Sequence, residues 1–221
     1  MLTLPGPKRI TLFCGHYGSG KTNIALNYAF YLKNAGYDVV VADLDIVNPY
    51  FRTKDSENEL REAGIGVISQ QFANSNVDLP ALPSEIYSIV QNRSRHAVID
   101  VGGDDRGAYA LGRLVPDIIA EDDYVMLDVV NFRRPLTGSA ADALTVMKEI
   151  EAACGLRFGG IVNNSNLGAE STPEVLTATY GEAEELSEMS GVPLFMNCAE
   201  KKVAEELGNV FPLTLQKRYY M

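Results

Sequence analysis

The residues Gly15-His16-Tyr17-Gly18-Ser19-Gly20-Lys21-Thr22 (GHYGSGKT) decide how this chain folds. An apolar run at 10–14 precedes them and an apolar-rich segment at 24–32 follows them, which predicts a strand, a loop and a helix. A glycine, four residues and then Gly-Lys-Thr is the spacing of a nucleotide phosphate-binding loop. The alternative, a glycine loop that arose by chance, does not account for the strand before it and the helix after it.

Each position in this loop has a physical task. Glycines at 15, 18 and 20 permit backbone torsions and close approaches that a Cβ would block, so that N–H groups can point at one phosphate. The helix that begins near Thr22 adds the positive end of its dipole. Lys21 can reach the β- and γ-phosphates, and the Thr22 hydroxyl suits a magnesium ion. We therefore predict that the nucleotide is bound by the whole loop, namely Gly15, His16, Tyr17, Gly18, Ser19, Gly20, Lys21 and Thr22.

Composition limits the class of protein. The 221 residues are 46% hydrophobic and carry a formal net charge of −10, which favours one globular domain over 1–221 and disfavours nucleic acid or an anionic membrane as partner. No apolar run approaches the roughly 18 uncharged residues that span a bilayer. The first eight residues lack the order of a signal peptide, so the cytoplasm is the expected location. The three cysteines are far apart in sequence, as is typical of buried reduced thiols.

Short apolar runs alternate with helical patterns along the chain. Such runs suit strands that are buried on both faces of a parallel sheet. The alternation predicts an α/β protein, a single domain with a three-layer, doubly wound, mostly parallel sheet. The strand candidates are 10–14, 39–42, 97–101, 124–130, 160–162 and 193–196. Helices are expected over 24–35, 140–154, 173–189 and 200–207, and about 209–221 is expected to form a tail.

Acidic residues end two of the predicted strands, where ligands bind in open α/β sheets. Asp100 fits the acid that holds magnesium beside a phosphate loop, directly or through water. Asp45 is placed to orient an attacking water or to accept its proton, and Asp43 could support the metal shell. We therefore predict Lys21 and Asp45 as catalytic and Thr22, Asp43 and Asp100 as metal-binding. The alternative is that these acids are ordinary loop residues or helix caps.

Several arginines are candidates to stabilise phosphate charge, within one chain or across a dimer. They are Arg52, Arg133 and Arg134. Pairing with surface acids is the alternative interpretation for each. The charged trio Asp104, Asp105 and Arg106 follows Asp100 closely and is equally typical of a solvated loop.

Together these motifs resemble the MinD/ParA/nitrogenase-iron-protein class of phosphate-loop ATPases, over nearly the whole chain. Asp43-Leu44-Asp45 matches the Asp-x-Asp switch of that class, and Asp100 to Gly103 matches its aspartate-glycine switch. The resemblance places at Asn163 the asparagine that recognises adenine. It implies ATP and Mg²⁺ as ligands, hydrolysis that is coupled to a conformational change, and often a homodimer that encloses the nucleotides.

One position departs from the class. The signature lysine of the class, which reaches across the dimer to the partner's phosphate, would fall at His16. Histidine is shorter and mostly neutral near pH 7, so this departure argues against the dimer and against fast hydrolysis. The segment at the chain's end is too short for the amphipathic membrane helix that some members carry.

Three functions are compatible with these features. The first is an ATPase that acts as a switch for an unidentified protein partner. The second is a small-molecule kinase or ATP-dependent ligase, which would use 48–52 and 70–83 as an acceptor pocket, since the same fold hosts such enzymes. The third is a nucleotide-responsive binding module with little turnover, which the histidine at position 16 suggests.

Overall fold

The predicted apolar strands form, and they join one parallel sheet. The structure is a computed structural model and describes residues 4–44, 57–68, 84–102 and 111–215. Within these ranges the strand order is β3-β2-β4-β1-β5-β6-β7-β8, and every neighbouring pair is parallel. The strands are β1 (Ile10–Cys14), β2 (Val39–Leu44), β3 (Gly66–Ile68), β4 (His96–Val101), β5 (Tyr124–Val130), β6 (Gly160–Asn163), β7 (Leu194–Glu200) and β8 (Phe211–Leu213).

Helices cover both faces of this sheet. They are α1 (Lys21–Asn34), α2 (Glu57–Glu62), α3 (Ser88–Gln91), α4 (Val115–Glu121), α5 (Ala140–Cys154), α6 (Pro173–Thr177), α7 (Tyr180–Ser190) and α8 (Lys201–Leu207). Successive side chains of β1 point to opposite faces, so that Leu12 packs in the core under α4, α5 and α7, whereas Phe13 packs in the core under α1. The α/β class with three layers is therefore confirmed.

The two longest helices begin and end as their sequences predict. Residues Ile24, Ala25, Tyr28 and Leu32 bury one side of α1, and Gly36 follows its end with φ +93°. The Ser139 hydroxyl caps α5 by accepting a hydrogen bond from the Asp142 N–H at 3.2 Å. Gly155, with φ +73°, ends α5 in the left-handed conformation that glycine adopts without strain.

The single helix expected over 173–189 is instead two helices, α6 and α7. The break lies at Ala178 and Thr179, where the buried Thr179 hydroxyl donates to the Leu176 carbonyl at 2.7 Å. In the second of these helices Ala183 and Leu186 are buried, whereas Met189 near its end is 47% exposed.

The predicted tail is wrong for 211–213, which form β8 beside β7. The Phe211 ring lies 5.8 Å from the ring of Tyr31 and 6.5 Å from that of Tyr28. The Asn27 side chain accepts from the Thr214 N–H at 2.8 Å and donates to the Thr214 carbonyl at 3.0 Å. This segment therefore extends the sheet and covers one side of α1.

None of the helices in the described part of the chain is long and apolar enough to cross a membrane.

The position of β8 predicts that Phe211→Ala destabilises the protein. Phe211 is 3% exposed, so its truncation removes a buried ring and should lower the free energy of unfolding by about 3–5 kcal/mol. Leu215→Ala is the control, because Leu215 is 51% exposed and its loss should change stability by less than about 0.5 kcal/mol. Urea unfolding of both variants measures the difference. Equal stabilities would contradict the packing of β8.

Candidate nucleotide-binding site

The glycine-rich loop connects β1 to α1 and passes very close to the backbone of β5. A Cβ at Gly15, whose φ is +141°, would lie 2.3 Å from the Val129 carbonyl oxygen. A Cβ at Gly20, whose φ is +93°, would lie 2.4 Å from the Asn164 side-chain nitrogen. Since real Cβ atoms do not approach a backbone oxygen so closely, position 15 requires glycine, and the positive φ at Gly20 favours glycine there as well. The prediction that these glycines permit close approach is supported at 15 and 20.

The start of α1 presents backbone N–H groups that no side chain caps. Gly20 occupies the N-cap position without a side-chain hydrogen bond, and the first turn of α1 contains no acidic residue. The N–H groups and the positive end of the helix dipole are therefore directed at the loop. This is an arrangement suited to an anion.

Two polar side chains are buried inside the loop. The Lys21 side chain is largely buried, and its ammonium donates to the His16 carbonyl at 3.2 Å. The Ser19 hydroxyl is buried and has no hydrogen-bond partner among the residues that the structure describes. A buried ammonium whose hydrogen bond goes to a neutral carbonyl, beside a buried hydroxyl, would be stabilised by an anion that accepts hydrogen bonds from both groups. The loop therefore fits a phosphate group.

The predicted metal-binding residues lie together at the carboxyl ends of β2 and β4. The Thr22 hydroxyl donates to Asp100 Oδ2 at 2.5 Å. Asp43 and Asp100 are register partners on adjacent strands, so their side chains project from the same face of the sheet, and both are buried. Two neighbouring buried carboxylates repel each other unless a cation lies between or beside them.

Oxygen atoms alone make up this set, which matches the ligand preference of Mg²⁺. In the described ranges no group of three or more His, Cys, Asp or Glu residues is gathered in a metal-binding arrangement. A site with two carboxylates and a hydroxyl fits Mg²⁺ because this ion usually takes its remaining ligands from water and substrate phosphates. The residues present therefore fit the implied metal.

Several predicted residues lie outside the described ranges. They are the catalytic candidate Asp45, the arginine candidate Arg52 and the trio Asp104, Asp105 and Arg106. The acceptor-pocket segments 48–52 and 70–83 of the kinase hypothesis also lie outside them. These assignments stay predictions.

Asn163, predicted to recognise the base, is fully buried, and its amide group is engaged within the protein. Its nitrogen donates to Thr179 Oγ1 at 3.2 Å and to Asn197 Oδ1 at 3.0 Å. Its oxygen accepts from the N–H and the hydroxyl of Ser165, at 3.1 and 2.7 Å. Since both hydrogens and the oxygen are used, the side chain in this structure holds the loop after β6 and presents no surface to a ligand.

The next residue, Asn164, makes the contact with the phosphate loop. Its nitrogen donates to the Ser19 carbonyl at 2.8 Å, which ties the loop after β6 to the glycine-rich loop. The sequence analysis missed this role. The Asn163-Asn164 pair at a strand end was a visible signal, but spacing alone does not show which of two adjacent amides faces the loop.

Asn131 joins the loop after β5 to the loop after β6. It is fully buried, its Oδ1 accepts from the Arg133 N–H at 2.9 Å, and its carbonyl accepts from the Thr137 hydroxyl at 2.8 Å. The Phe132 N–H donates to the Ser165 hydroxyl at 2.9 Å. These bonds fix the loop after β5 to the loop after β6, beside the phosphate loop.

A further acid, Asp128, lies beneath the loop and was not singled out from the sequence. It is the register partner of Cys14 on β5, one strand away from the start of the glycine-rich loop, and it is 2% exposed. Burial raises the pKa of Asp128 to about 8, whereas the Lys21 ammonium lowers it and the Glu151 carboxylate raises it. Asp128 is the one acid in the apolar run 124–130, and the sequence of this run does not show which charged groups lie near it in the fold.

The three cysteines are reduced and buried, as expected from their spacing. The thiols of Cys14 and Cys154 are hydrogen-bonded to each other, which together with burial raises the pKa of Cys14 well above its ordinary value. Burial also raises the pKa of Cys198. A buried thiol with a raised pKa is a poor nucleophile, so Cys14 and Cys198 act as core side chains here.

The raised pKa of Asp128 predicts a pH dependence of stability. An unfolded aspartate ionises near pH 4, whereas the folded one keeps its proton until about pH 8, so the folded state binds more protons between these values. This contribution is fully present below pH 4 and is lost as pH rises to about 8. Asp128→Asn should therefore reduce the pH dependence of thermal unfolding and raise its midpoint at pH 8 by about 3–6 °C.

Asp117→Asn, on the exposed side of α4, is the matched control for this prediction. It should leave the slope of the midpoint against pH unchanged. An unchanged slope for Asp128→Asn would contradict the prediction.

Comparison with known proteins agrees with this geometry. The sequence matches the CobQ/CobB/MinD/ParA nucleotide binding domain over residues 10–210. No curated protein matches the chain. The fold is similar to solved structures of the cell division protein FtsY from Thermotoga maritima (18% identity, TM-score 0.61, covering 92% of this chain and 66% of that one) and the signal recognition particle receptor FtsY from Elizabethkingia anophelis in complex with GDP (14%, 0.56, 90% and 59%).

A third similar structure is the signal recognition particle 54 kDa protein from Aeropyrum pernix in complex with GDP, with 16% identity and a TM-score of 0.54. The similarity covers 89% of this chain and 42% of that protein. The chain thus spans two thirds or less of each of these proteins, and at these identities the likeness shows a shared fold. The resemblance to the MinD/ParA class is confirmed by the sequence match. Because that match covers nearly the whole chain, the protein belongs to the CobQ/CobB/MinD/ParA nucleotide-binding domain family.

Proposed function

We propose that the protein is a magnesium-dependent ATPase that acts as a nucleotide switch for a protein partner. The observation that carries this proposal is the hydrogen bond between Thr22 and Asp100, with Asp43 beside them in register. The hydrogen bond joins the phosphate loop to the end of β4, and Asp43 lies beside it at the end of β2. A phosphate-loop hydroxyl that already contacts a strand-end carboxylate is the arrangement in which Mg²⁺ bridges a protein and the phosphates of a nucleotide.

Phosphate binding would use the buried polar groups of the loop. The Lys21 ammonium, now on the His16 carbonyl, is within reach of the loop interior and would transfer to a phosphate oxygen. The buried Ser19 hydroxyl and the N–H groups at the start of α1 would donate to the same anion. All these donors are held by the close contacts at Gly15 and Gly20, so their positions change little on binding.

Thr22, Asp43 and Asp100 would hold Mg²⁺. When bound, the ion would neutralise charge on the β- and γ-phosphates. Asp45, two residues beyond Asp43, is proposed to orient the attacking water or accept its proton. The residues that follow Asp43 and Asp100 in sequence adjoin these proposed ligands directly, so we expect a change at the γ-phosphate to reach them first. This is the basis for proposing a switch that a partner senses.

The choice of ATP rests on the class that the sequence resembles and on the loop after β6. This loop reads Asn163-Asn164-Ser165-Asn166 and lacks the Asn-Lys-x-Asp spacing of guanine-binding proteins. Two of the similar solved structures are complexes with GDP, so the base has to be tested directly. Competition of ATP and GTP against a fluorescent nucleotide is the measurement. At least about tenfold tighter binding of ATP supports the proposal, and tighter binding of GTP overturns the assignment of the base.

Thr22→Ala is predicted to impair the use of magnesium. Loss of the hydroxyl removes one oxygen ligand and the hydrogen bond to Asp100, so the Mg²⁺ concentration for half-maximal phosphate release should rise by about 10- to 100-fold. Thr145→Ala is the control, since Thr145 lies exposed on α5 and its hydroxyl donates to the Ala141 carbonyl of the same helix at 3.0 Å. The assay is phosphate release from ATP across a magnesium titration. An unchanged magnesium requirement would contradict the role of Thr22.

The same assay distinguishes the other functions. Release of phosphate from ATP without an acceptor, abolished by Asp45→Ala with binding retained, supports the ATPase. Release only after addition of metabolites would instead indicate a kinase or ligase. Binding without turnover, even with a cell extract, would indicate a binding module.

A further inference from the structure

The loop after β5 carries two adjacent arginines whose side chains lie in different places. The Arg133 guanidinium donates to the Val175 carbonyl of α6 at 3.0 Å. The Arg134 side chain instead lies against the phosphate loop. A Cβ built on Gly18 would lie 3.7 Å from Arg134 Nε and 3.8 Å from its Cζ. Only the second arginine therefore borders the nucleotide site.

The backbone at Arg134 is fixed on both sides. Its N–H donates to the Asn131 carbonyl at 3.1 Å, and its carbonyl accepts from the Thr137 N–H at 3.1 Å. Asn131 is itself fully buried and bonded to the neighbouring loop. The guanidinium consequently extends over Gly18 from a rigid base, which limits the entropy lost when it binds a ligand.

The Arg134 guanidinium makes no hydrogen bond or ion pair with the residues that the structure describes. By comparison Arg133 donates to Val175, and Arg9 pairs with Glu121. An exposed guanidinium beside a glycine loop offers two parallel N–H donors in the geometry that phosphate oxygens accept. Gly18 itself has φ +78° and no side chain that would separate the guanidinium from the loop.

We propose that Arg134 contacts the terminal phosphates of the nucleotide bound in the same chain. It would supply the cation at the loop's outer rim, where the class resembled by this sequence uses a lysine and this chain has His16. The imidazole of His16 lies 3.0 Å from the Tyr17 carbonyl of its own loop, through Nδ1. This inference rests on the proposed function, because it requires that the loop binds a nucleoside triphosphate. It further requires no second copy of the chain to complete the site.

The test compares Arg134→Gln with Arg133→Gln, which removes the same charge from the adjacent residue. Arg134→Gln should weaken ATP binding by at least about tenfold, the lower value for a charged hydrogen bond, and should weaken ADP binding less. Arg133→Gln should stay within about twofold of the wild type for both nucleotides. Both side chains are exposed, so thermal unfolding should confirm that both variants fold. Equal affinities of the two variants for ATP would overturn the inference.

A mixing experiment tests whether Arg134 acts within its own chain. Arg134→Gln protein is mixed with Thr22→Ala protein, whose Arg134 is intact, and phosphate release is measured. No recovery above the sum of the two variants is expected. Recovery would show that the arginine acts across a dimer and would overturn the inference. Failure of the wild type to bind either ATP or GTP would overturn the proposed function, whereas wild-type binding with unaffected Arg134→Gln overturns this inference alone.

Discussion

The close contact between the phosphate loop and the ends of β5 and β6 is the constraint on which the site depends. Two glycines bring the loop so near to the Val129 carbonyl and the Asn164 amide that no side chain fits between them. This contact holds the loop under the start of α1 and buries Lys21 and the Ser19 hydroxyl. The protein therefore bears the desolvation of an ammonium and a hydroxyl before any ligand binds, and an anion restores the lost interactions. Stability and binding are coupled at this place, since a ligand that binds only the folded state also stabilises it.

The two carboxylates at the strand ends are also buried before any ligand binds. Asp43 and Asp100 are buried on neighbouring strands, where a carboxylate loses contact with water at a cost in free energy. The Thr22 hydroxyl relieves part of this cost by donating to Asp100. A divalent cation would also stabilise the pair, because it attracts both carboxylates at once. The phosphate and metal parts of the site thus favour each other, as each brings the charge that the other lacks.

Much of the fold followed from the sequence, because strands buried on both faces have to be apolar throughout. The runs at 10–14, 39–42 and 124–130 favoured strands, and their alternation with helical patterns favoured a parallel sheet. The strand β8 was missed because three residues with a proline at the centre carry almost no periodic signal, and their partners on α1 are nearly two hundred residues away. In the site, Thr22 and Asp100 were predictable from motif spacing. Asn164 and Arg134 each have an identical neighbour, Asn163 and Arg133, from which they differ only in direction, and tertiary packing decides that direction. Asp128 was missed because its sequence does not show which groups lie across the sheet from it.

The two adjacent arginines show how the direction of a side chain decides whether it can contact a ligand. Arg133 and Arg134 are chemically identical, and one residue of separation turns one towards α6 and the other over Gly18. The turn that separates the two side chains is held by the buried residue Asn131, whose carbonyl accepts from the Arg134 N–H and from the Thr137 hydroxyl. A histidine at position 16 removes a charge from the loop, but the potential at a phosphate depends on where cations lie and not on which segment carries them. If the charge comes from the wall beside the loop, the site is complete within one chain. Phosphate binding then does not require self-association of the protein.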